Sequence, residues 1–493
     1  MIGASYCLTR LRVGHREIHV IVTRKPEGMD EISLECLKDL LKRDYPDVEI
    51  QSYEEAPGSK RGDNYTSMLY RITLKGERKI TEPDGSSETT EPWQESLIYK
   101  CLPQNTMRRE AFKSDELFCN EVAFYNKIWP ALTYFQKRWL DKLSSPFNAI
   151  PKCYLAQNNA VILKDLRDLG FTMPDRRQGL TVEQCYYVLK HLAHFHALSL
   201  SMKYEDSERF FDLINHRDGI SEVFFVPSNE DYYRDYYREV IGNALAMVEQ
   251  ELQVCEAAVQ QRYMEKFKKF CSEDIFFSMM MELVAPQEPL AVICHGDCWP
   301  NNLLFRYEED HIAELCFVDF QMARYASPAL DLAYLLYLGL SRQQRDEHLS
   351  SLLTHYTREL HARLLEMSNE DSIFRTTLSK EILFEMILGL DPSTAARAYR
   401  ALPMTIFTYR LFGDNSSPKL QDEFRRSGRF GLGIALDMYP IVTCDSNEAP
   451  NVYQTEENDV SVEKAVTPVF TTNQACRRKM TDLLQELVDA DII

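Results

Sequence analysis

Apolar residues recur at mostly helical spacing from Asp30 to Arg43, where Ile32, Leu34, Leu37, Leu40 and Leu41 predict an opening helix. Tyr45-Pro46 ends it. The period then shortens. Val48 to Tyr53 and Met68 to Leu74 read as strands around a loop from Pro57 to Ser67, and Ser96 to Leu102 alternates as a third. Residues 76–92 are polar, carry two prolines and read as a long exposed connection. Phe118, Val122, Tyr125 and Trp129 make a helical stripe with Glu121 on it. Pro151 to Ala156 and Ala160 to Leu163 are two further strands, the second running into Lys164-Asp165-Leu166.

Beyond that point the pattern is helical. Tyr186, Leu189, Ala193, His196 and Leu200 define a core helix, and residues 204–290 hold long charged helices with four aromatic doublets. The doublets Phe210-Phe211, Phe224-Phe225, Tyr232-Tyr233 and Tyr236-Tyr237 read first as packing between helices and second as the apolar wall of an acceptor pocket. Helices fill most of residues 341–412, Gly431 to Ile441 is a last core segment, and residues 443–472 read as an acidic, mobile linker. Met480, Leu483, Leu484, Leu487 and Val488 then form an amphipathic stripe for a final helix that docks back on the body.

Chemistry concentrates in one stretch. The apolar run Ala291 to Cys294 leads into a loop with His295, Gly296 and Asp297; Asn302 follows, and Asp319 ends the next apolar strand. Asp297 is placed to accept the proton of an attacking hydroxyl, while Asn302 and Asp319 supply hard oxygen ligands for magnesium on ATP phosphates. A kinase catalytic loop has the same Asp-to-Asn interval. Any one of these residues alone reads as a turn former or a cap; together they read as a phosphoryl-transfer site. His191 and His194 share a helix face, but with no Cys or well-placed carboxylate nearby they read as structural.

The stretch His-Gly-Asp-Cys-Trp-x-Asn-Asn followed by Asp-Phe-Gln, over residues 294–321, resembles the ecdysteroid kinase-like (CHK kinase-like) family, relatives of choline kinases and aminoglycoside phosphotransferases. The resemblance extends more loosely from about residue 30 to about residue 440. It implies further roles. Gly62, Asn64, Tyr65 and Ser67 are similar to the family's phosphate-covering loop. Lys100, between apolar neighbours on its strand, needs an anionic partner if that face is buried; Glu110, Asp115 and Glu116 are open alternatives, and the family's Glu-x-x-Phe-Tyr pattern points to Glu121. Leu163 and Asp165 lie where a kinase lobe link meets adenine through its backbone. Lys164 stands where the family is usually acidic, which puts any role of that side chain in doubt. His295 would hold the catalytic loop, Asp331 would brace it from below, and His196 resembles the family's buried helix histidine.

Composition narrows the classes. At 493 residues and a formal net charge of −19, the chain is not suited to nucleic acid or an anionic membrane as main partner. Thirteen scattered cysteines with no Cys-x-x-Cys read as reduced thiols of a cytoplasmic protein. No apolar run reaches the length of a membrane span, and the basic first 25 residues lack a secretory core.

The expectation is an α+β, protein-kinase-like two-lobed fold using ATP and Mg2+. Its divisions are an extension at 1–29, a small ATP-binding lobe at 30–165 and a large helical catalytic lobe at 166–442. The linker at 443–472 and the helix at 473–493 complete it. The expected partner is a small-molecule alcohol, met by a monomer. Only eleven residues separate Asp319 from Asp331, with no Ala-Pro-Glu element between them, so the platform for a peptide acceptor is missing. The rival reading is a nucleotide-binding pseudokinase acting as an interaction module.

Overall fold

The computed structural model describes residues 7–13, 16–22, 32–60, 66–81, 88–157, 159–368, 418–445 and 473–493. At the start, Cys7–Val13 (β1) and Arg16–Val22 (β2) pair as an antiparallel hairpin. Helix α1 (Leu34–Leu41) begins where the Ser33 hydroxyl accepts the N–H of Cys36, satisfying one of the free donors of the first turn, and it buries Leu37 and Leu41.

Five strands then form one antiparallel sheet: β3 (Val48–Pro57), β4 (Met68–Thr81), β5 (Glu88–Cys101), β6 (Cys153–Gln157) and β7 (Ala160–Lys164), in the order β3-β4-β5-β7-β6. Because side chains alternate between faces, Ile162 packs with Leu97, Ile72 and α1 on one side, while Val161 and Leu163 join the core of the helical lobe on the other.

Residues 76–92 are not the long connection that their polarity suggests. β4 and β5 run on as a hairpin in unbroken register, from Gly76 opposite Trp93 to Thr81 opposite Glu88. β3 pairs with β4 as far as Arg78, opposite Val48, and Trp93 is buried in the small-lobe core, so only the tip is a two-stranded ribbon, where polar residues are no obstacle to the backbone ladder. Pro92 is tolerated because β5 pairs with β7 only from Leu97 onward, which leaves Pro92 on an edge.

The chain then crosses the sheet as α2 (Thr106–Ala111), α3 (Ser114–Ala123), a π-helical turn (Phe124–Ile128) and α4 (Trp129–Lys137). The large lobe is built around α5 (Val182–Glu205), capped by a reciprocal Thr181–Gln184 box and buried along most of its length. Around it lie α6 (Ser207–Ile214), α7 (Glu230–Leu252), α8 (Ala257–Phe270), α9 (Glu273–Val284), α10 (Pro328–Gly339), α11 (Arg342–Glu366), α12 (Pro418–Thr443) and α13 (Gln474–Asp489). Two small sheets carry the loops between them. One orders β11 (His311–Phe317), β10 (Leu303–Glu308) and β8 (Phe171–Thr172); the other pairs β12 (Arg324–Ala326) with β9 (Val292–Cys294).

This is the two-lobed, protein-kinase-like α+β architecture. Met480, Leu483, Leu484, Leu487 and Val488 of α13 are buried, and Glu486 bonds the buried Arg345 of α11 at 2.6 Å. The helices read between 369 and 412 and most of the linker read at 443–472 lie outside the described residues. Among the described residues, no helix is long and apolar enough to cross a membrane.

Candidate active site

Every residue of α10 is buried, so Asp331 is carried into the core and must find donors there. It accepts the backbone N–H of His295 at 2.7 Å and of Gly296 at 2.8 Å, and His196 Nε2 at 3.0 Å. Burial alone would raise its pKa; the His196 bond and the loop's donors bring it below the usual aspartate value. Asp331 therefore holds the loop as an ionised brace, and a hydrogen bond to a charged group is worth about 1.5–3 kcal/mol. Cys294 lies within 4.8 Å of His196 and Asp331, but its thiol donates to Ser327 O at 3.4 Å, so this cluster is a hydrogen-bonded brace. His191 and His194 have protein partners of their own, Tyr187 O at 2.9 Å and Arg363 at 2.8 Å.

His295 accepts the N–H of Asp297 on Nδ1 at 3.2 Å, so Nε2 carries the proton that it donates to Val318 O at 3.0 Å. Burial lowers its pKa and keeps it neutral. The imidazole thus ties the Asp297 loop to the segment between β11 and Asp319. Gly296 between them has φ +85°, and a Cβ there would stand 1.8 Å from Met322 O, so only glycine fits the turn. Asn302 Nδ2 donates to both Asp297 O at 2.9 Å and Asp297 Oδ2 at 2.8 Å. The Asp297 carboxyl is pushed up to about 7 by burial, with Asp319 adding to the rise and Tyr334 and Asn302 opposing it.

Lys100 is buried and reaches Glu121 Oε2 at 2.6 Å and Asp319 Oδ1 at 2.8 Å. Burial works against its charge, yet Asp319 and Glu121 outweigh that and raise its pKa. Burial pushes the Glu121 carboxyl up while Lys100 pulls it down. Of the four carboxylates open as partners from sequence, Glu121 is the one in contact; Asp115, for instance, pairs with Arg109. Asp319 sits at φ +68°, and Phe320 beyond it stacks on Phe124 with ring centroids 3.8 Å apart. The π-helical turn starts at Phe124 and puts both Phe124 and Tyr125 inward against Phe320, a use of π-turns that recurs at functional sites.

Sequence reasoning missed Asn120. It is buried beside Glu121 on α3, and its Nδ2 donates to Gln321 O at 2.9 Å and Ala323 O at 2.7 Å while its Oδ1 accepts the N–H of Ser221 at 2.8 Å. One side chain thereby joins the small-lobe helix, the segment after Asp319 and the insert before α7. Asn120→Asp sets oxygen against two carbonyls, and we expect it to lower stability by about 1–3 kcal/mol, read from the denaturant midpoint. An unchanged midpoint would show that the clamp carries no weight.

Gly62 and Asn64 lie outside the described residues. Ser67 is buried at the start of β4, and its neighbour Thr66 donates to Gln321 Oε1 at 2.9 Å, which brings the shoulder of that loop onto the Asp319 segment. Leu163 sits inside β7 between β5 and β6. The Asp165 N–H donates to Ser96 O at 3.2 Å, and its carboxylate meets Arg71 at 2.5 Å and the Arg167 N–H at 2.9 Å, so both groups shape the lobe link. Lys164, the odd residue of that link, bonds Glu95 at 2.5 Å, and Glu95 also takes the Tyr45 hydroxyl. Its role is an ion pair across the sheet.

The sequence model of the ecdysteroid kinase-like family matches residues 61–369, well over half of the chain. The chain belongs to the ecdysteroid kinase-like family. Membership, with the two-lobed architecture, gives the chain the build of a phosphotransferase-like enzyme. No curated protein matches it in sequence. Similar solved structures include a mutant aminoglycoside 2'-phosphotransferase-IIIa with GDP, 13% identical, covering 92% of this chain and 97% of its own, at a TM-score of 0.36. Choline kinase LicA from Streptococcus pneumoniae is 14% identical and covers 81% of this chain and 98% of its own, at a TM-score of 0.25. At these scores the likeness adds nothing to what the elements themselves show.

In this ecdysteroid kinase-like chain an open pocket reaches Asp297, Asn302 and Asp319. Its walls include Phe224, Phe225, Tyr233, Tyr236 and Tyr237, so three of the four aromatic doublets contribute to it. Packing and pocket are not alternatives here: Phe225, Tyr233 and Tyr237 are buried core residues whose remaining edges face the cavity. Phe210 is buried elsewhere, against Tyr325, and Tyr232 is exposed.

Proposed function

We propose that the protein is an ATP- and magnesium-dependent kinase that transfers the γ-phosphoryl group to a hydroxyl of a small molecule, an ecdysteroid-like steroid alcohol or a xenobiotic phenol or glycoside. The observation that carries this is the convergence of Asp297, Asn302, Asp319 and Lys100 at one end of a pocket walled by aromatic side chains. The donor set fits the cofactor: the free oxygens of Asn302 and Asp319 are hard ligands of the kind magnesium takes, with no thiolate or imidazole among them. Magnesium bound there would neutralise charge on the transferring phosphates.

The chain's own residues do the rest. Asp297 accepts the proton of the attacking hydroxyl, and the bonds from Asn302 and Tyr334 fix its carboxylate toward the pocket. Lys100 orients the phosphates, and Glu121 holds Lys100. His295 and Asp331 keep the loop in the shape that the transfer needs. Gly62, Asn64 and Ser67 would cover the phosphates, and the backbone at Leu163 and Asp165 would meet adenine. The division into an extension at 1–29, lobes at 30–165 and 166–442, a linker and a terminal helix belongs to the same proposal, as do a cytoplasmic setting and a monomer.

The test is consumption of ATP by the full chain with magnesium across steroid alcohols, phenols and glucosides, beside a panel of peptides and folded proteins. We expect phosphorylation of members of the first group. Transfer to peptide or protein alone would overturn the small-molecule reading, and nucleotide binding without transfer to anything would favour the pseudokinase.

A further inference from the structure

Asp437 has no part in the chemistry described above. It lies on α12 and lines the same pocket as Asp297, Asn302 and Asp319. Tyr236 donates its hydroxyl to Oδ1 at 2.8 Å and Tyr237 to Oδ2 at 3.0 Å, so two consecutive residues of α7 grip one carboxylate. A carboxylate offers about four acceptor positions, and each oxygen therefore keeps one beyond its phenol. The residue is only partly buried, and the space it borders is this pocket.

The surroundings are apolar: Phe112, Leu117, Phe225, Trp299, Ile434 and Met438 line the cavity with it. A carboxylate there is costly unless donors meet it. Burial pushes its carboxyl up to about 6 while the two phenols hold it down, so its demand for donors is only partly met. The Tyr334 hydroxyl bonds Asp297, and the charges of Asp297 and Asp437 both add to the rise that burial gives its pKa.

We infer that Asp437, braced by Tyr236 and Tyr237, is a second anchor of the acceptor pocket: it accepts a hydrogen bond from a remote hydroxyl of an apolar, ring-bearing alcohol whose reacting hydroxyl meets Asp297. This rests on the small-molecule kinase reading. It deepens that reading by making the preferred acceptor a diol on an apolar frame. A hydroxyl can donate to the free position of either oxygen, while the apolar walls offer a ring system dispersion contacts.

The probes are a steroid with one hydroxyl on each terminal ring, the two mono-ols that each lack one of them, and the amine that replaces one hydroxyl. Binding to the full chain is measured by calorimetry, and transfer is followed separately with magnesium and ATP. Wild type is expected to bind the diol more tightly than either mono-ol. Asp437→Asn is expected to weaken binding of the diol ~10- to 100-fold more than binding of the mono-ol that keeps only the reacting hydroxyl, the span for losing a bond to a charged acceptor. The ratio within one variant does not depend on how much of the sample is folded. Tyr236→Phe keeps the carboxylate and removes one donor, so it is expected to widen the diol preference; a narrowed preference would count against the anchor.

Equal losses in Asp437→Asn for the diol and for the mono-ol without the remote hydroxyl would make Asp437 a brace between α7 and α12 and nothing more. Absence of a diol preference in wild type, no binding of any probe, or tighter binding of the amine would each overturn the assignment. A diol preference that depends on Asp437, with no phosphoryl transfer to any probe, would sink the kinase reading and leave the anchor standing.

Discussion

Asp297→Asn is expected to lower kcat by roughly 10² to 10⁴, the range for loss of a general base, with little change in nucleotide affinity. The amide keeps the shape of the carboxylate, so the loop braced by His295 and Asp331 should stand. Asn302 Nδ2 donates to Asp297 Oδ2 at 2.8 Å, which would turn the new side chain's oxygen toward Asn302 and its NH2 toward the pocket. A donor would then face the acceptor hydroxyl in place of a proton acceptor. Asp319→Ala should behave differently, weakening binding of the magnesium-nucleotide complex along with turnover, because the magnesium that would neutralise the phosphates then loses its carboxylate ligand. Both variants are to be titrated with ATP and magnesium beside turnover on an accepted alcohol. Should Asp297→Asn lose nucleotide binding while Asp319→Ala keeps binding and rate, the roles of base and metal ligand are assigned the wrong way round.

What the sequence made legible was chemistry tied to local pattern. Lys100 stood between apolar neighbours on an alternating strand, and a lysine on that face is readable as buried and in need of a carboxylate. Glu121 lay on the apolar stripe of the next helix, close enough in sequence for the pairing to be proposed. The five strands of the sheet were visible wherever one face is covered, since alternation records that burial. Where β4 and β5 extend into water the pattern is lost, and a polar ribbon looks like a loop.

The residues that escaped are polar ones whose partners are remote. Asn120 meets Gln321 and Ala323 about two hundred positions away. Asp437 meets Tyr236 and Tyr237 across a similar span. Neither contact leaves a trace at spacing three, four or two. Lys164 was conspicuous in the lobe link, but its partner Glu95 could be found only from the register that sets Lys164 opposite Leu97.

Lys100→Met should be the most damaging change in the small lobe. It leaves Glu121, wholly buried, and Asp319 without the cation that they share, and removing one partner from a buried ion pair costs about 3–5 kcal/mol. Glu121 would then take up a proton, since burial and Asp319 already push its carboxyl upward. Glu121→Gln is milder. The amide oxygen still accepts from Lys100 and Asp319 still pairs with it, so the expected loss is about 1–3 kcal/mol. In the double variant no buried cation and no orphaned carboxylate remain at position 121, so its loss should fall short of the sum by about 0.5–3 kcal/mol. Denaturant unfolding of the three variants gives the stability cycle, and kcat/KM for ATP gives the functional one. The functional cycle should be non-additive for the same reason: once Lys100 is gone, Glu121 has nothing left to hold. Strictly additive losses in both would mean that Glu121 merely lies beside Lys100, and that Asp319 alone positions the lysine.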